Sequence, residues 1–485
     1  MGVRDQTQLP GPKISAREYR QRIDRLRAAL RPNSVAIFVS NPVARYSEDI
    51  SFPYRQNSNI VYLNGFPEAD CALVLTNIRG SPPVTMFVQA RNIDEETWTG
   101  RRLGPVGAIE HYLVDHAFTA SVFEEVTLDL LRIASNVYYQ KDVNALWDAR
   151  FEDILKIART EGTGWPLRFD VSPIIDEMRL IKSPKEIALL RMSGEITAAA
   201  HRQVMLSCKP GMRECELAGL IKAKFLSSGA FHSAYSEIIA RSGLDGNANI
   251  LHYTANRDLL RDGDLALVDA GCWLEGYAGD VTMTFPVNGK FTENQRRLYE
   301  IVLKAQNAGR RAAKVGRPFH DVHLAAQRVL RAGLVDLGIL PQACRTRRSE
   351  QAMHRQAVLD GRPHLVLQDI TLHYVGHFLG IDVHDVGDEM PHCGKLKGRP
   401  EAHPGIDLTL HPSRCLRVLE EGMCLTIGPG LYFRHGDRRV PEWCWGICIR
   451  LEDDYFVTKC GAKQLNPSLP RTVEEIESFM ASARK

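Results

Sequence analysis

Two aspartates, Asp269 in LVDAG and Asp280 in GDVTMTFP, flank a short stretch that reads as a β-hairpin. With a two-residue turn centred on Leu274-Glu275, the two carboxylates stand directly opposite each other on one face, with Cβ atoms ~5 Å apart. Such a pair can seat two metal ions ~3.5–4 Å apart, one carboxylate bridging both. Ordinary turn aspartates beside a Gly-rich loop would read the same way. Further on, GICIRLEDDYFV places Cys448, Arg450 and Glu452 on one strand face by its period of two. A carboxylate and a guanidinium facing inward need partners, because unpaired buried charge is expensive. A metal would answer for Glu452 and a carboxylate held bidentately for Arg450; a surface Arg–Asp pair is the plainer alternative. The run His373-Tyr-Val-Gly-His377, continuing to His384, lacks the Glu of the H-E-x-x-H zinc-protease pattern. A lone His is usually a satisfied core or surface residue. Three of them, interleaved with Gly376 and Gly380 that permit close backbone approach, point to a site. His252 in NILHYT stands apart in sequence.

Positioning these groups requires a rigid frame. Ser183-Pro184-Lys185-Glu186 combines a Ser N-cap, Pro at the first helical position and a capping Glu, predicting a helix that Lys209-Pro210-Gly211 stops. Beyond it the pattern is α+β, with helices near 183–207, 213–228, 293–314 and 319–337. Strands are expected near 265–271, 279–286, 422–433 and 446–458. Upstream, Ser15-Ala-Arg-Glu18 opens a helix closed by Pro32. Short β-like runs follow at 35–39, 60–63, 72–75 and 84–88, alternating with helical stretches at 121–133 and 149–160, which predicts an α/β domain. The boundary is drawn near Trp165–Asp176, giving domains 1–175 and 176–485. Two polar excursions interrupt the second, Cys344–Gln368 and a Pro-, Gly-, Lys- and His-rich insertion over 391–415.

A chain of 485 residues is too long for one ordinary core, so two domains are expected. With 44% hydrophobic and 25% charged residues and a net charge of +3, composition gives no reason to invoke nucleic acid or an anionic membrane. No apolar run approaches the ~20 residues that span a bilayer, and the start has no signal-peptide pattern. The 11 cysteines form no C-x-x-C pair, which reads as reduced thiols in a cytoplasmic protein.

The ordered set VDAG, GYAGDVTMTFPVNGKFT, HYVGHFLGIDVHDVG, LTIGPGLY and IRLEDD resembles the aminopeptidase P branch of the pita-bread metallopeptidases. SFPYRQNSNIVYLNGFPEAD, EETWTGRRLG, ILHYT and RDGDLALVDAG extend the resemblance over nearly the whole chain. It implies an aminopeptidase P-like N-terminal domain and a pita-bread catalytic domain. By the same resemblance, Asp269, Asp280, His377 and Glu452 are metal ligands, with Asp280 and Glu452 bridging. His252, His373 and His384 are its substrate-binding and proton-handling histidines, Arg450 lies beside the metals, and Trp98 reaches a neighbouring subunit's site. The implied activity is release of the N-terminal residue from Xaa-Pro peptides by metal-activated water. Mn²⁺ is the implied metal, and the implied assembly a homodimer or homotetramer.

One position departs from the pattern. Gly428 in LTIGPG stands where the family has a Glu that binds the second metal and accepts a proton from the attacking water. Loss of a positioned general base typically costs ~10²–10⁴ in rate. Two other readings therefore stand beside the peptidase: a non-catalytic pita-bread protein that binds a peptide, and a repurposed one acting on a small molecule. Cleavage of dipeptides only is a nearer alternative.

Overall fold

The computed structural model describes residues 12–161, 166–360, 364–387 and 417–482. The chain divides into two compact units, Ile14–Arg179 and the chain from Leu180 onward.

The first unit is α/β. Its elements are α1 (Ala16–Ala29), β1 (Ser34–Val39), α2 (Ser58–Leu63), β2 (Ala72–Thr76), β3 (Val84–Val88), α3 (Ile93–Thr99) and α4 (Gly104–His111). There follow β4 (His116–Thr119), α5 (Phe123–Ile133), β5 (Asn136–Tyr139), α6 (Ala145–Glu161), β6 (Leu167–Phe169) and α7 (Ser172–Leu180). One six-stranded sheet runs β4-β3-β2-β1-β5-β6, parallel except at the β1/β2 and β2/β3 pairs. Its central strands are buried throughout and mostly apolar because both faces are covered; Val35, Ile37, Val74, Phe87, Phe123 and Trp147 meet in one core. The run Ile60–Leu63, expected as a strand, is helical. The Asn57 carboxamide caps α2 by accepting the Asn59 N–H at 2.8 Å, and a short apolar run carries no periodicity that separates the two states.

The second unit is α+β. It holds α8 (Pro184–Ser207), α9 (Glu214–Ser227), β7 (His232–Ser233), β8 (Ile238–Ser242), β9 (Leu265–Ala270), β10 (Cys272–Leu274), β11 (Tyr277–Ala278) and β12 (Val281–Pro286). Then come α10 (Glu293–Ala312), α11 (His320–Asp336), α12 (Arg347–Leu359), α13 (Leu367–Thr371), β13 (Cys424–Ile427) and β14 (Gly430–Tyr432). β15 (Cys448–Arg450), β16 (Asp453–Thr458), β17 (Gly461–Gln464) and α14 (Val473–Ser482) complete it. The helices begin where the sequence caps them. Ser183 Oγ accepts the Glu186 N–H at 3.2 Å while the Glu186 carboxylate accepts the Ser183 N–H at 2.8 Å. Thr292 and Gln295 do the same for α10. Helices α8 to α11 close over the strands through Val204, Phe225, Val268, Phe285, Leu298 and Leu330. The excursion Cys344–Gln368 contains α12, capped by Thr346. The insertion over 391–415 lies outside the described residues.

Three short sheets frame the acidic residues: β12-β9-β8, β13-β16-β17 and β14-β15. The first is the expected hairpin with its turn moved by one residue. The turn is Glu275-Gly276, with φ of 49° and 92°, so Asp269 faces Thr282 and not Asp280. The pairing thus slips by two residues, and a slip of two leaves every side chain on its original face.

Candidate metal centre

Thr282 ties the strands together. On β12 it pairs with Asp269 on one side and forms an isolated bridge with Glu452 on the other, with N–H···O distances of 3.0 and 3.2 Å to Glu452. Three acid-bearing strands therefore run side by side. His377 arrives from a separate loop laced to β13: the Thr426 N–H donates to His377 O at 2.8 Å, and the His377 N–H to Thr426 Oγ1 at 3.3 Å. Gly376 makes this possible, since a Cβ there would run into Thr426 O. The loop's far end is fixed by Lys182, whose ammonium donates to Asp385 at 2.7 Å, both side chains 1% exposed. Gly380 leaves room for that pair.

These connections bring Asp280, His377 and Glu452 together, one donor atom from each lying within 4.8 Å of the others. His377 Nε2 is 3.1 Å from Asp280 Oδ2 and 3.9 Å from Glu452 Oε1. All three residues are buried. Burial pushes the His377 imidazolium down, but the Asp280 hydrogen bond and charge and the Glu452 charge outweigh it and raise its pKa to about 9. Glu452 is pushed up to about 8, first by burial and then by the Asp280 charge. Burial also acts upward on Asp280, where the His377 hydrogen bond and charge prevail and hold it low. Two carboxylates are thus held around one imidazole by a proton, an arrangement a divalent ion fits by taking that proton's place. His377 Nδ1 lies 2.9 Å from Phe378 O; donation to that carbonyl leaves Nε2 to face the acids as a ligand lone pair.

Asp269, expected as a fourth ligand, is adjacent but outside this group. Its Oδ2 receives Arg450 Nη2 at 2.5 Å, and its Oδ1 lies 2.5 Å from the Tyr235 hydroxyl, which also stands 2.7 Å from Asp280 Oδ1. Burial raises the Asp269 carboxyl despite the Arg450 charge. Arg450 is buried and spreads its donors over three partners, Asp269, Thr282 Oγ1 at 3.2 Å and the Tyr432 hydroxyl at 3.1 Å. The bidentate carboxylate contact expected of it is not what forms.

Of the other histidines, His384 packs edge-on against His377 with ring centroids 4.3 Å apart. His373 Nε2 is 2.7 Å from the Tyr432 hydroxyl, which links it through Arg450 to Asp269. Burial and the Arg450 charge hold His373 neutral, with its pKa down to about 4. His252 is exposed. His373 also lines a cavity of about 510 Å³ between α11, α12 and α13, with His323, Arg347, Arg355 and Tyr374 on its walls. Trp98, on α3 in the first unit, is 88% exposed.

Sequence reasoning missed Tyr235, Thr282 and Tyr432, which no spacing rule marks. Asp454 carried a signal, since three consecutive acids in a strand cannot all face water. It is fully buried, and its Oδ2 accepts the Asp280 N–H at 3.0 Å. At Gly428 the volume a side chain would occupy is already filled. A Cβ there would stand 2.5 and 2.6 Å from the two Glu452 carboxylate oxygens, with Cδ closer still.

Comparison with known proteins agrees with this architecture. Residues 188–459 match the model of metallopeptidase family M24, and residues 19–138 that of the aminopeptidase P N-terminal domain. The Xaa-Pro aminopeptidase of Escherichia coli K12 is 38% identical over 98% of this chain and 99% of its own length. That of Haemophilus influenzae is 36% identical over 96% and 98%. Among solved structures, Pseudomonas aeruginosa aminopeptidase PepP superposes with a TM-score of 0.85 at 34% identity, covering 97% of this chain and 99% of that one. A variant E. coli aminopeptidase P in complex with substrate gives 0.85 at 37% identity with the same coverage. The chain therefore belongs to metallopeptidase family M24, an aminopeptidase P-type N-terminal domain preceding a pita-bread domain.

Proposed function

We propose that this chain is a metal-dependent aminopeptidase that releases the N-terminal residue from peptides with proline second. The observation that carries this is the buried Asp280–His377–Glu452 cluster, with His384 packed against His377, in a chain related end to end to Xaa-Pro aminopeptidases. Asp280, His377 and Glu452 would hold the ion, and their hard oxygen and imidazole donors favour Mn²⁺. A divalent ion there supplies Lewis-acid polarisation of a carbonyl and acidification of water. His384 abuts His377 and His373 is neutral, so both can accept or pass a proton as the peptide bond is attacked. Arg450 orders the acids by fixing Asp269. The cavity past His373 gives a peptide longer than two residues room for its downstream part, which favours this reading over a dipeptidase.

The setting we propose is cytoplasmic: the cysteines among the described residues are thiols outside any disulfide, and no described helix is long and apolar enough to cross a membrane. Exposed Trp98 and Ile93 on α3 suit a contact within a homo-oligomer. The non-catalytic alternative is disfavoured by the retained cluster, which a pure binding module has no need to keep buried and charged. Hydrolysis of Xaa-Pro-Yaa peptides with added Mn²⁺, with Xaa-Ala-Yaa peptides and a His377→Ala chain as controls, tests the proposal. Cleavage confined to the proline series and lost with His377 is expected. No cleavage by a metal-loaded native chain would sink it.

A further inference from the structure

The cavity beside His373 is walled by one stripe from each of its helices. Along α12 the lining positions Arg347, Gln351 and Arg355 recur every four residues, so a single face of that helix looks into the space. Arg348, one residue along, is not part of the wall. The α11 side is held in place from behind. His323 Nδ1 accepts the Val375 N–H at 3.3 Å, its ring stacks on Tyr374 with centroids 4.1 Å apart, and the Tyr374 hydroxyl stands 3.0 Å from His320 Nδ1.

The charge on these walls is one-sided. Among the described lining residues Glu350 is the one acid, and it is already committed. One of its oxygens lies 2.5 Å from Arg331 Nη1, with both side chains buried, and the other accepts the Leu367 N–H at 2.7 Å. Arg347 and Arg355 therefore face the cavity with no acid to meet them, and among the described residues neither forms an ion pair. On a convex helix such arginines would be ordinary solubilising charge. In a concavity of about 510 Å³ lined by one sign they concentrate the field on whatever enters. The cavity also lies within reach of the metal-binding cluster. His373 is four residues from His377, so their Cα atoms stand no more than about 14 Å apart, and an extended peptide covers that span in about four residues.

We infer that this cavity is an anion subsite, in which Arg347 and Arg355 hold a carboxylate carried by the downstream part of the substrate. The chain then selects peptides that are acidic about two to three residues beyond the proline. The carboxylate comes either from a Glu or Asp side chain or from the peptide's own C-terminus, since both present the two oxygens that a guanidinium holds side by side. A contact this far from the bond being cut grips substrate and transition state alike, so it acts through KM. The inference rests on the reading of this chain as an Xaa-Pro aminopeptidase.

The experiment is steady-state kinetics of the Mn²⁺-supplemented full chain on Ala-Pro-Ala-Glu-Ala amide and its Gln and Lys counterparts, with the variable residue also moved to the third and fifth positions. The best-placed Glu peptide should have a KM at least about tenfold below that of its Lys counterpart, with kcat within about twofold. Ala-Pro-Ala-Ala as the free acid and as the amide separates the terminal carboxylate from the side-chain one. An advantage for either acid supports the subsite, and an advantage for neither overturns it. Arg347→Gln/Arg355→Gln should shrink the Glu-over-Lys ratio to within about twofold, whereas Arg348→Gln should keep it in full. A preference that survives in the double variant refutes the assignment. Calorimetric titration of the same chain with Pro-Ala-Glu-Ala amide and Pro-Ala-Lys-Ala amide, which hold no Xaa-Pro bond, reads the subsite without turnover. Acid-selective binding without cleavage of any peptide would leave the subsite standing and remove the proposed activity; cleavage without acid selectivity would do the reverse.

Discussion

Replacing Lys182 by Met removes the cation that holds the end of the His377–Asp385 loop. The pair it breaks is 1% exposed on both sides, with Nζ 2.7 Å from Asp385 Oδ2, and Lys182 Nζ also lies 3.3 Å from Leu180 O. Removing one partner of a buried ion pair strands the other charge, at a cost of about 3–5 kcal/mol, and the geometry here leaves little water to soften it. Lys182→Met should therefore destabilise the second unit by that amount at neutral pH, read by urea unfolding of the full chain. Met matches the length of the aliphatic stem, so the loss is charge and not packing. A stranded carboxylate escapes by taking up a proton, so the deficit should shrink as pH falls toward 4 or so. The double variant Lys182→Met/Asp385→Asn, which has no charge to strand, should recover most of the loss. A single variant costing under about 1 kcal/mol, or a double variant no better than the single, would refute the account, since either shows that the charge was never desolvated.

Burial, then the Arg471 charge, pushes His201 from 6.5 down to about 4, so the folded chain keeps it neutral. Stability is then full above 6.5 and is lost as pH falls through 4, by roughly 3 kcal/mol for this group; His201→Leu should flatten that part of an acid-unfolding curve. Gly271→Ala would drive a methyl into Gly279 O across the neck of the acidic hairpin, and a loss above roughly 3 kcal/mol, or insolubility, is expected. Gly219→Ala, at an exposed position of α9 with nothing within 4 Å of the added methyl, should instead raise stability by about 0.5–1 kcal/mol in a thermal scan. If the cavity beside His373 receives the downstream part of the peptide, Arg355→Glu should raise KM severalfold for peptides with acidic residues after proline while leaving kcat near its native value.

Much of the frame was legible because its signals are local. Ser183/Glu186 and Thr292/Gln295 announce α8 and α10 within four residues of sequence, and each cap forms as read. Glu452 was legible as a group in need of a partner because it faces inward on an apolar strand, Asp280 and His377 stood out by their spacing, and the ligand roles came from the resemblance. What was missed was the turn register, which Gly276 marks locally, and the contacts that depend on distant chain. The choice between Leu274-Glu275 and Glu275-Gly276 as the hairpin turn is set by positive φ at both central residues, which Gly276 tolerates and Leu274 does not. That Asp269 spends its oxygens on Arg450 and Tyr235 follows from segments far apart in sequence. The gap at Gly428 was visible in the sequence, but its occupant was not, because Glu452 reaches it through a bridge to Thr282 that no pattern encodes.

The filled space above Gly428 also limits the routes by which such a sequence can change. Position 428 is no longer independent: the effect of any residue larger than Gly there depends on what stands at 452. A carboxylate regained at 428 by a single mutation would arrive where the Glu452 carboxylate now sits, so the Glu452 side chain must turn aside for both to fit.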